Sequence, residues 1–256
     1  MEIVVPVKMV PDIVEELEID AGGRALDRSF LKFKLNEFDD QALEQALVLK
    51  EKHGGRVTVV ALQAEEVDET LFTCLAKGAE RAVKIKGAHD NVSSHQAAAI
   101  LALVLKSIPY DLILTGVQAA DDIDGQMAPL LATLLGLPHV SVVSAVEPAA
   151  EGRVVLVRQE YAGGVMAELE VSLPAVLGIQ VAPQTPRYAP VSKVRQIMKT
   201  AKIEEVEAPP AQAEAWRVTG LRKPEAAGGA QMLEGSADEV AEKLVALFTE
   251  KGLLKG

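Results

Sequence analysis

A chain of 256 residues with 49% hydrophobic content has room for one large α/β domain or two small ones and ample material for a core. Its formal net charge of −11 argues against nucleic acid or an anionic membrane surface as a general partner. No apolar run approaches the roughly 18 residues of a membrane span, and the chain opens on strand-like residues, so a bacterial or archaeal cytoplasm is expected and membrane insertion is not. The single cysteine, Cys74, has no internal disulfide partner and reads as a buried thiol in a reducing compartment.

In chain order, Ile3–Val7 reads as a strand. Leu17–Ile19 and Arg24–Leu26 flank Asp20-Ala21-Gly22-Gly23, the pattern of a small hairpin. Asn36 is a natural N-cap for a helix over Glu37–His53, and Asp39 is spaced to close a variant capping box. Strand Arg56–Leu62, helix Val67–Lys77, strand Ala82–Ile85, helix Ser93–Ile108 and strand Leu112–Thr115 follow. Gly54-Gly55 and Gly78 stand where C-terminal caps belong. The alternation predicts an α/β fold with a doubly wound, mostly parallel sheet of Rossmann-like type. Right-handed crossovers make Ile3–Val7 a neighbour of both Arg56–Leu62 and Leu112–Thr115. A ligand crevice is then expected at the carboxyl ends of the first and fourth strands, where the winding reverses.

The second half changes character. Val140–Glu147, Arg153–Tyr161 and Val165–Leu173 read as antiparallel strands, with turns at Pro148–Gly152 and Gly163-Gly164, and Pro174–Ile179 as one more short strand. Pro183, Pro186 and Pro190 punctuate a partly basic loop that ends near Lys193, a candidate docking segment. Residues 200–230 have little periodicity and read as an extended arm whose apolar Val206, Trp216, Val218 and Leu221 need cover from a partner. Val240–Phe248 is a final amphipathic helix. The expected organisation is a nucleotide-binding α/β domain over 1–190, with recognition loop, arm and terminal helix over 191–256.

One stretch carries chemistry. Leu112-Ile113-Leu114 and Thr115 lead into Gly116-Val117-Gln118-Ala119-Ala120-Asp121-Asp122-Ile123-Asp124-Gly125-Gln126-Met127, and an apolar helix opens at Gly125-Gln126-Met127. A strand, a tight loop and a helix N-terminus form a seat for a phosphate, because the first helical amides lack intrahelical partners and carry the positive end of the dipole. The stretch matches neither GxGxxG nor a Walker lysine loop. Asp121, Asp122 and Asp124 are of the type that holds Mg²⁺ beside a phosphate, but capping and loop solvation is the plainer reading, and no metal is expected. His53, His89, His95 and His139 lack metal spacing, and Cys74 lacks an activating neighbour, so no covalent catalysis is expected.

Taken together the motifs resemble the β subunit of the electron transfer flavoproteins over nearly the whole length. Val5–Asp12 is close to the family's opening V-x-VK-x-V-x-D, Leu35–Asp39 to its N-P/E-F segment, and Gly78–Arg81 to GAD/ER. The acidic loop matches G-x-QA-x-DD. Val157-Arg158-Gln159-Glu160-Tyr161-Ala162-Gly163-Gly164, with Glu168 and Leu173–Val176, is the most specific segment, and Pro186-Arg187-Tyr188 and Ile197-Met198-Lys199 follow in order. Gln159 stands where the family usually has Arg or Lys, and Ala162 where it usually has an acid.

The resemblance implies an adenine nucleotide alpha hydrolase-like fold in a heterodimer whose α subunit holds most of one FAD. This chain would bury an AMP of structural role. Electrons would pass from acyl-CoA or related dehydrogenases to a membrane quinone oxidoreductase. The family's AMP site carries over to Pro6, Asn36, Glu37, Phe38, Asp39, Leu62 and Gly116 through Met127. Phe38 and Ile13 would face the flavin ring. The docking loop carries over to Arg187, Tyr188, Val191, Lys193 and Arg195, with Val191 near its tip. A subgroup that binds a second FAD and bifurcates electrons from NADH has glycine where this chain has Asp122, and the larger acid leaves less room for a diphosphate. A flavin-free nucleotide sensor of the universal-stress type shares the fold but has no use for the arm.

Overall fold

Ile3, Val4 and Val5 are buried in β1 (Glu2–Pro6), with Ile3 and Val5 turned to one face of the sheet and Val4 to the other. Burial on both faces marks a sheet with helices on each side. A computed structural model describes residues 1–29, 31–87, 92–122, 124–150, 152–208, 218–224, 229–230 and 232–254. After β1 come β2 (Met9–Pro11), β3 (Phe33–Leu35), α1 (Glu37–His53), β4 (Arg56–Leu62), α2 (Val67–Lys77) and β5 (Arg81–Lys86). Then follow α3 (Ser94–Leu105), β6 (Leu112–Gly116), α4 (Met127–Leu135), β7 (His139–Pro148), β8 (Val154–Glu160), β9 (Met166–Ser172) and β10 (Ala175–Ile179). The chain closes with α5 (Val191–Thr200), β11 (Glu204–Glu207) and α6 (Ala237–Glu250).

Among the described residues the main sheet has nine strands in the order β11-β5-β4-β1-β6-β10-β7-β8-β9. β1 pairs in parallel with β4 and with β6, as the crossover rule requires. Leu43 and Leu47 of α1 and Leu71 of α2 pack on one face, with Ile3, Val5 and Leu112. Ile100, Leu101 and Leu105 of α3 and Leu131 of α4 pack on the other, with Val4, Val60 and Ile113. Each such side chain fully removed from water contributes about 1.5–3 kcal/mol, so the two layers, not the loops, fix the winding. Gly54 and Gly78 end α1 and α2 in positive φ, their amides bonded to the carbonyls of Lys50, and of Cys74 and Leu75.

Several elements differ from expectation. β10 does not extend the antiparallel run; it inserts in parallel between β6 and β7. β7 is therefore mixed, parallel to β10 over its first half and antiparallel to β8 over its second. The exchange of partners occurs at a bulge where Val142 takes φ 61°, an uncommon conformation for a β-branched residue. The hairpin around Asp20 reduces to one antiparallel bridge between Ile19 and Leu26, while β2 and β3 pair beneath it in a two-stranded sheet of their own.

The expected arm does not leave the domain at Thr200. Val194 and Ile197 of α5 pack with Ala76 and Phe72 of α2. β11 adds in parallel to the edge of β5, held by Arg81–Glu204, Lys84–Glu205 and Lys86–Glu207 ion pairs. Val206 packs against the second core layer and needs no partner for cover. Trp216 lies outside the described residues, as do His89 and Ile123. Farther on, the Leu221 amide donates to the Gly23 carbonyl, and Lys223 pairs with Glu16 and Glu18. α6 is longer than expected because Ser236 and Glu239 form a capping box ahead of it, and it leaves Val245 and Phe248 exposed.

Candidate functional site

The crevice lies at the carboxyl ends of β1, β4 and β6. Pro6 ends β1, and the Lys8 amide behind it donates to Asp39 Oδ2 at 3.0 Å. The Gly116 amide at the end of β6 donates to Asp39 Oδ1 at 3.1 Å. Asn36 Nδ2 donates to the Gln118 carbonyl at 2.9 Å. Asn36 is thus the N-cap of α1 by position, but neither it nor Asp39 closes a capping box. Both side chains instead clasp three chain segments into one wall. The reason is physical: a buried amide without a partner costs about as much as a lost hydrogen bond, and the amides of Lys8 and Gly116 have Asp39 within reach. Burial pushes the Asp39 carboxyl up to about 7, against the opposing pull of Asn36, the Gly116 amide and Lys8.

Gly116 is demanded by close approach. A Cβ there would stand 2.5 Å from Asp39 Oδ1 and 2.7 Å from the carbonyl carbon of Phe38. One residue earlier, the buried Thr115 hydroxyl has no hydrogen-bond partner among the described residues. It lines a crevice of about 200 Å³ with Pro6, Val60, Leu62, Ala97, Leu101 and Met127 among its apolar walls. Buried polar atoms are almost always satisfied in folded proteins, so an orphan facing a cavity is a place for a ligand atom or a water.

Of the residues expected at the site, Pro6, Asn36, Asp39, Leu62, Gly116, Gln118, Ala119, Asp121, Asp122 and Met127 line the crevice. Glu37, Phe38, Val117, Ala120, Asp124, Gly125 and Gln126 do not. Glu37 is exposed and pairs with Lys34, and Ile13 is 61% exposed. The sequence reading missed Gln63, Ala64 and Glu65 after β4, Ser94 and Ala97 on α3, and Arg28 and Phe33 beneath the hairpin. The first three were within reach of the winding rule, because β4 neighbours β1 at the switch point. Ser94, Ala97 and Leu101 carry a signal in their spacing, which sets two small residues and one large one on one helix face.

The three acids of the loop go to three different partners. Asp121 pairs with Lys8 at 2.7 Å across the mouth. Asp122 is buried, and its Oδ1 accepts the amides of Asp124 and Gly125 at 3.2 and 3.1 Å. Asp124 accepts from the Ser94 hydroxyl at 3.1 Å. Burial, then the bond with Asp124, pushes the Asp122 carboxyl up; the same bond holds Asp124 down. Among the described residues no group of three or more His, Cys, Asp or Glu is disposed to hold a metal ion. Cys74 is buried, and burial pushes its thiol up to about 12.

The segment expected to dock a partner is a loop only as far as Pro190, and Val191 opens α5. Tyr188 is 80% and Val191 58% exposed. Lys193 and Arg195 lie on the exposed side of α5. Arg187, expected in the docking loop, is committed to α1: its guanidinium bonds Glu44 and Glu51. Burial raises the Glu44 carboxyl, but the bonds from Arg187 and Gln184 outweigh it and hold it below the usual range.

Comparison with known proteins decides the family. A profile of the electron transfer flavoprotein domain matches residues 25–211. The electron transfer flavoprotein subunit beta of Methylophilus methylotrophus is 34% identical over 263 residues, 98% of each chain. The chain belongs to the electron transfer flavoprotein family, as a β subunit. The β subunit of Bradyrhizobium diazoefficiens is 32% identical over 99% of this chain and 100% of its own. That of Clostridium acetobutylicum is 35% identical over 76% of this chain and 74% of its own. Electron transport is thus the setting of this chain, and a free-standing nucleotide sensor is set aside. Among the described residues no helix is long and apolar enough to cross a membrane.

Proposed function

We propose that this β subunit buries one AMP in the crevice, supports an FAD held mainly by an α subunit, and presents residues 184–199 to acyl-CoA-type dehydrogenases in the cytoplasm. The orphaned Thr115 hydroxyl in an otherwise satisfied, largely apolar crevice carries the nucleotide reading. Leu62, Ala97 and Leu101 offer apolar walls suited to a base. Met127, at the start of α4, places a helix N-terminus at the other end for a phosphate. With the Asp124 and Gly125 amides taken by Asp122, that phosphate is assigned to the Met127 end of the seat.

One phosphate is favoured over two. Asp121 and Asp122 both stand on the crevice wall, and Asp122 fills the space and amides a second phosphate needs. This weighs against a second FAD and against bifurcation from NADH. FAD, when bound, supplies reversible acceptance of electrons. The role of this chain is to hold the neighbouring nucleotide, exclude water and position the donor. Electron transfer requires proximity, and no acid, base or nucleophile of this chain takes part. Residues beyond 190 that reach past β11 are assigned to the α-subunit interface, and the membrane quinone oxidoreductase is the assigned acceptor.

The test is extraction of nucleotide from the complex co-expressed with its α subunit, followed by mass analysis. One AMP and one FAD per heterodimer is the expected result. Two FAD and no AMP overturns the assignment.

A further inference from the structure

Glu44 sits in the middle of α1 and is 1% exposed, yet nothing in the crevice uses it. Its carboxylate accepts the Arg187 amide at 3.0 Å, Arg187 Nε at 2.9 Å, Arg187 Nη2 at 2.8 Å and Gln184 Nε2 at 2.6 Å. One turn away, Gln41 Oε1 accepts the Ala182 amide at 2.9 Å. Among the described residues no backbone-to-backbone hydrogen bond holds residues 183–189. Side chains of α1 therefore do what a sheet or helix ladder does elsewhere. Tyr188 lies between two fixed points, the Arg187 fork and the buried Ala189.

A buried ion pair is a weak source of net stability, because desolvation offsets the attraction. A bidentate guanidinium–carboxylate pair with added backbone and amide bonds is, however, a strong source of defined geometry. We infer that Glu44 is a positioning residue for donor docking: it seats Gln184 and Arg187 so that Tyr188 and Val191 are presented in one orientation. This rests on the reading of residues 184–199 as the docking segment.

The experiment uses the full heterodimer with an acyl-CoA dehydrogenase as donor and compares Glu44→Gln, Glu44→Asp and Val191→Glu, with the double variant Glu44→Gln/Val191→Glu. Glu44→Asp keeps the buried charge and serves if Glu44→Gln does not fold. Each Glu44 variant should raise the KM of the dehydrogenase for the flavoprotein by about three- to tenfold with kcat and flavin content unchanged. The double variant should be no worse than the more affected single, since a misplaced tip no longer reports its own chemistry. Amide exchange over residues 182–190 should speed up in step. If Val191→Glu raises KM while both Glu44 variants leave it unchanged, the positioning role is wrong and docking stands. If Val191→Glu has no effect on KM, the docking reading fails and the inference with it. A loss of flavin or kcat that accounts for the whole change in the Glu44 variants overturns positioning in favour of a general structural role.

Discussion

Gly116→Ala is the sharpest probe of how α1 is joined to the sheet. The new Cβ would stand 2.5 Å from Asp39 Oδ1 and 2.7 Å from the Phe38 carbonyl carbon. Comfortable contact begins near about 3.5 Å, so about 1 Å must be found. Neither neighbour is the free end of a flexible side chain: Phe38 presents backbone, and Asp39 is fixed by the Lys8 and Gly116 amides. The start of α1 must therefore move off β6. Overpacking of this kind costs about 1–3 kcal/mol, and stretching a hydrogen bond to a carboxylate adds about 1.5–3 kcal/mol. A total of roughly 4 kcal/mol lowers Tm by about 10 °C for a domain of this size. Nucleotide content should fall with it, since a ligand bound only to the folded crevice stabilises that form. The assay is thermal unfolding of the co-purified complex by circular dichroism, with nucleotide measured by chromatography. Gly229→Ala, where an added Cβ meets nothing within 4 Å, is the control. A Gly116→Ala complex that melts within about 2 °C of the parent and retains its full nucleotide would refute the close approach.

The pH profile of stability offers a second test. Asp39 carries a folded pKa of about 7 against an ordinary 3.8, so its contribution is fully present below 3.8 and is lost as pH rises through 7. The loss approaches about 4 kcal/mol, and denaturant midpoints of the parent should fall across that window more steeply than those of Asp39→Asn; parallel profiles would remove Asp39 as the cause. Gly125 holds φ 57° with the Val117 carbonyl 3.4 Å from where a Cβ would lie, so Gly125→Val should reduce nucleotide stoichiometry and melting temperature together; unchanged values would dissociate this loop from the seat. Deleting residues 209–256 should abolish co-purification with the α subunit and leave the sheet folded, since β11 is retained; native affinity in the truncated chain would make the arm a mere tail. Lys193→Gln with Arg195→Gln should flatten the salt dependence of the association rate with a dehydrogenase, because screening acts on those charges; an unaltered dependence would place the steering elsewhere.

The central sheet was legible because β1, β4 and β6 are apolar runs buried on both faces, and winding alone then located the crevice. What escaped was decided by tertiary partners. Ala175–Ile179 is apolar throughout, which says that β10 is buried but not between which strands. Glu204-Glu205-Val206-Glu207 has no intrinsic strand character; it is a strand because Arg81, Lys84 and Lys86 of β5 present cations in matching register. Asn36 and Asp39 have the local spacing of a capping box, but the Lys8 and Gly116 amides claim the Asp39 carboxylate and the Gln118 carbonyl claims the Asn36 side-chain amide. The pairing of Arg187 with α1 was not legible from its proline-rich surroundings, although Glu44 is the clue: an acid on the leucine-lined face of α1 calls for a cation from elsewhere in the chain.

The two ends of the nine-stranded sheet carry a consequence for behaviour at high concentration. An open sheet leaves a row of unpaired amides and carbonyls along each outermost strand, a template on which another chain can polymerise. Here one outermost strand is β11, only four residues long with Glu204, Glu205 and Glu207, and the other is β9, with Glu168 and Glu170. Lateral approach of two copies through like rims brings these carboxylates, only partly offset by the cations of β5 and by Arg158, against one another before an inter-chain ladder forms. The repulsion is weakest in acid or at high salt, so self-association through these rims is expected to begin there, and the acidity of the chain works as a guard against fibre growth.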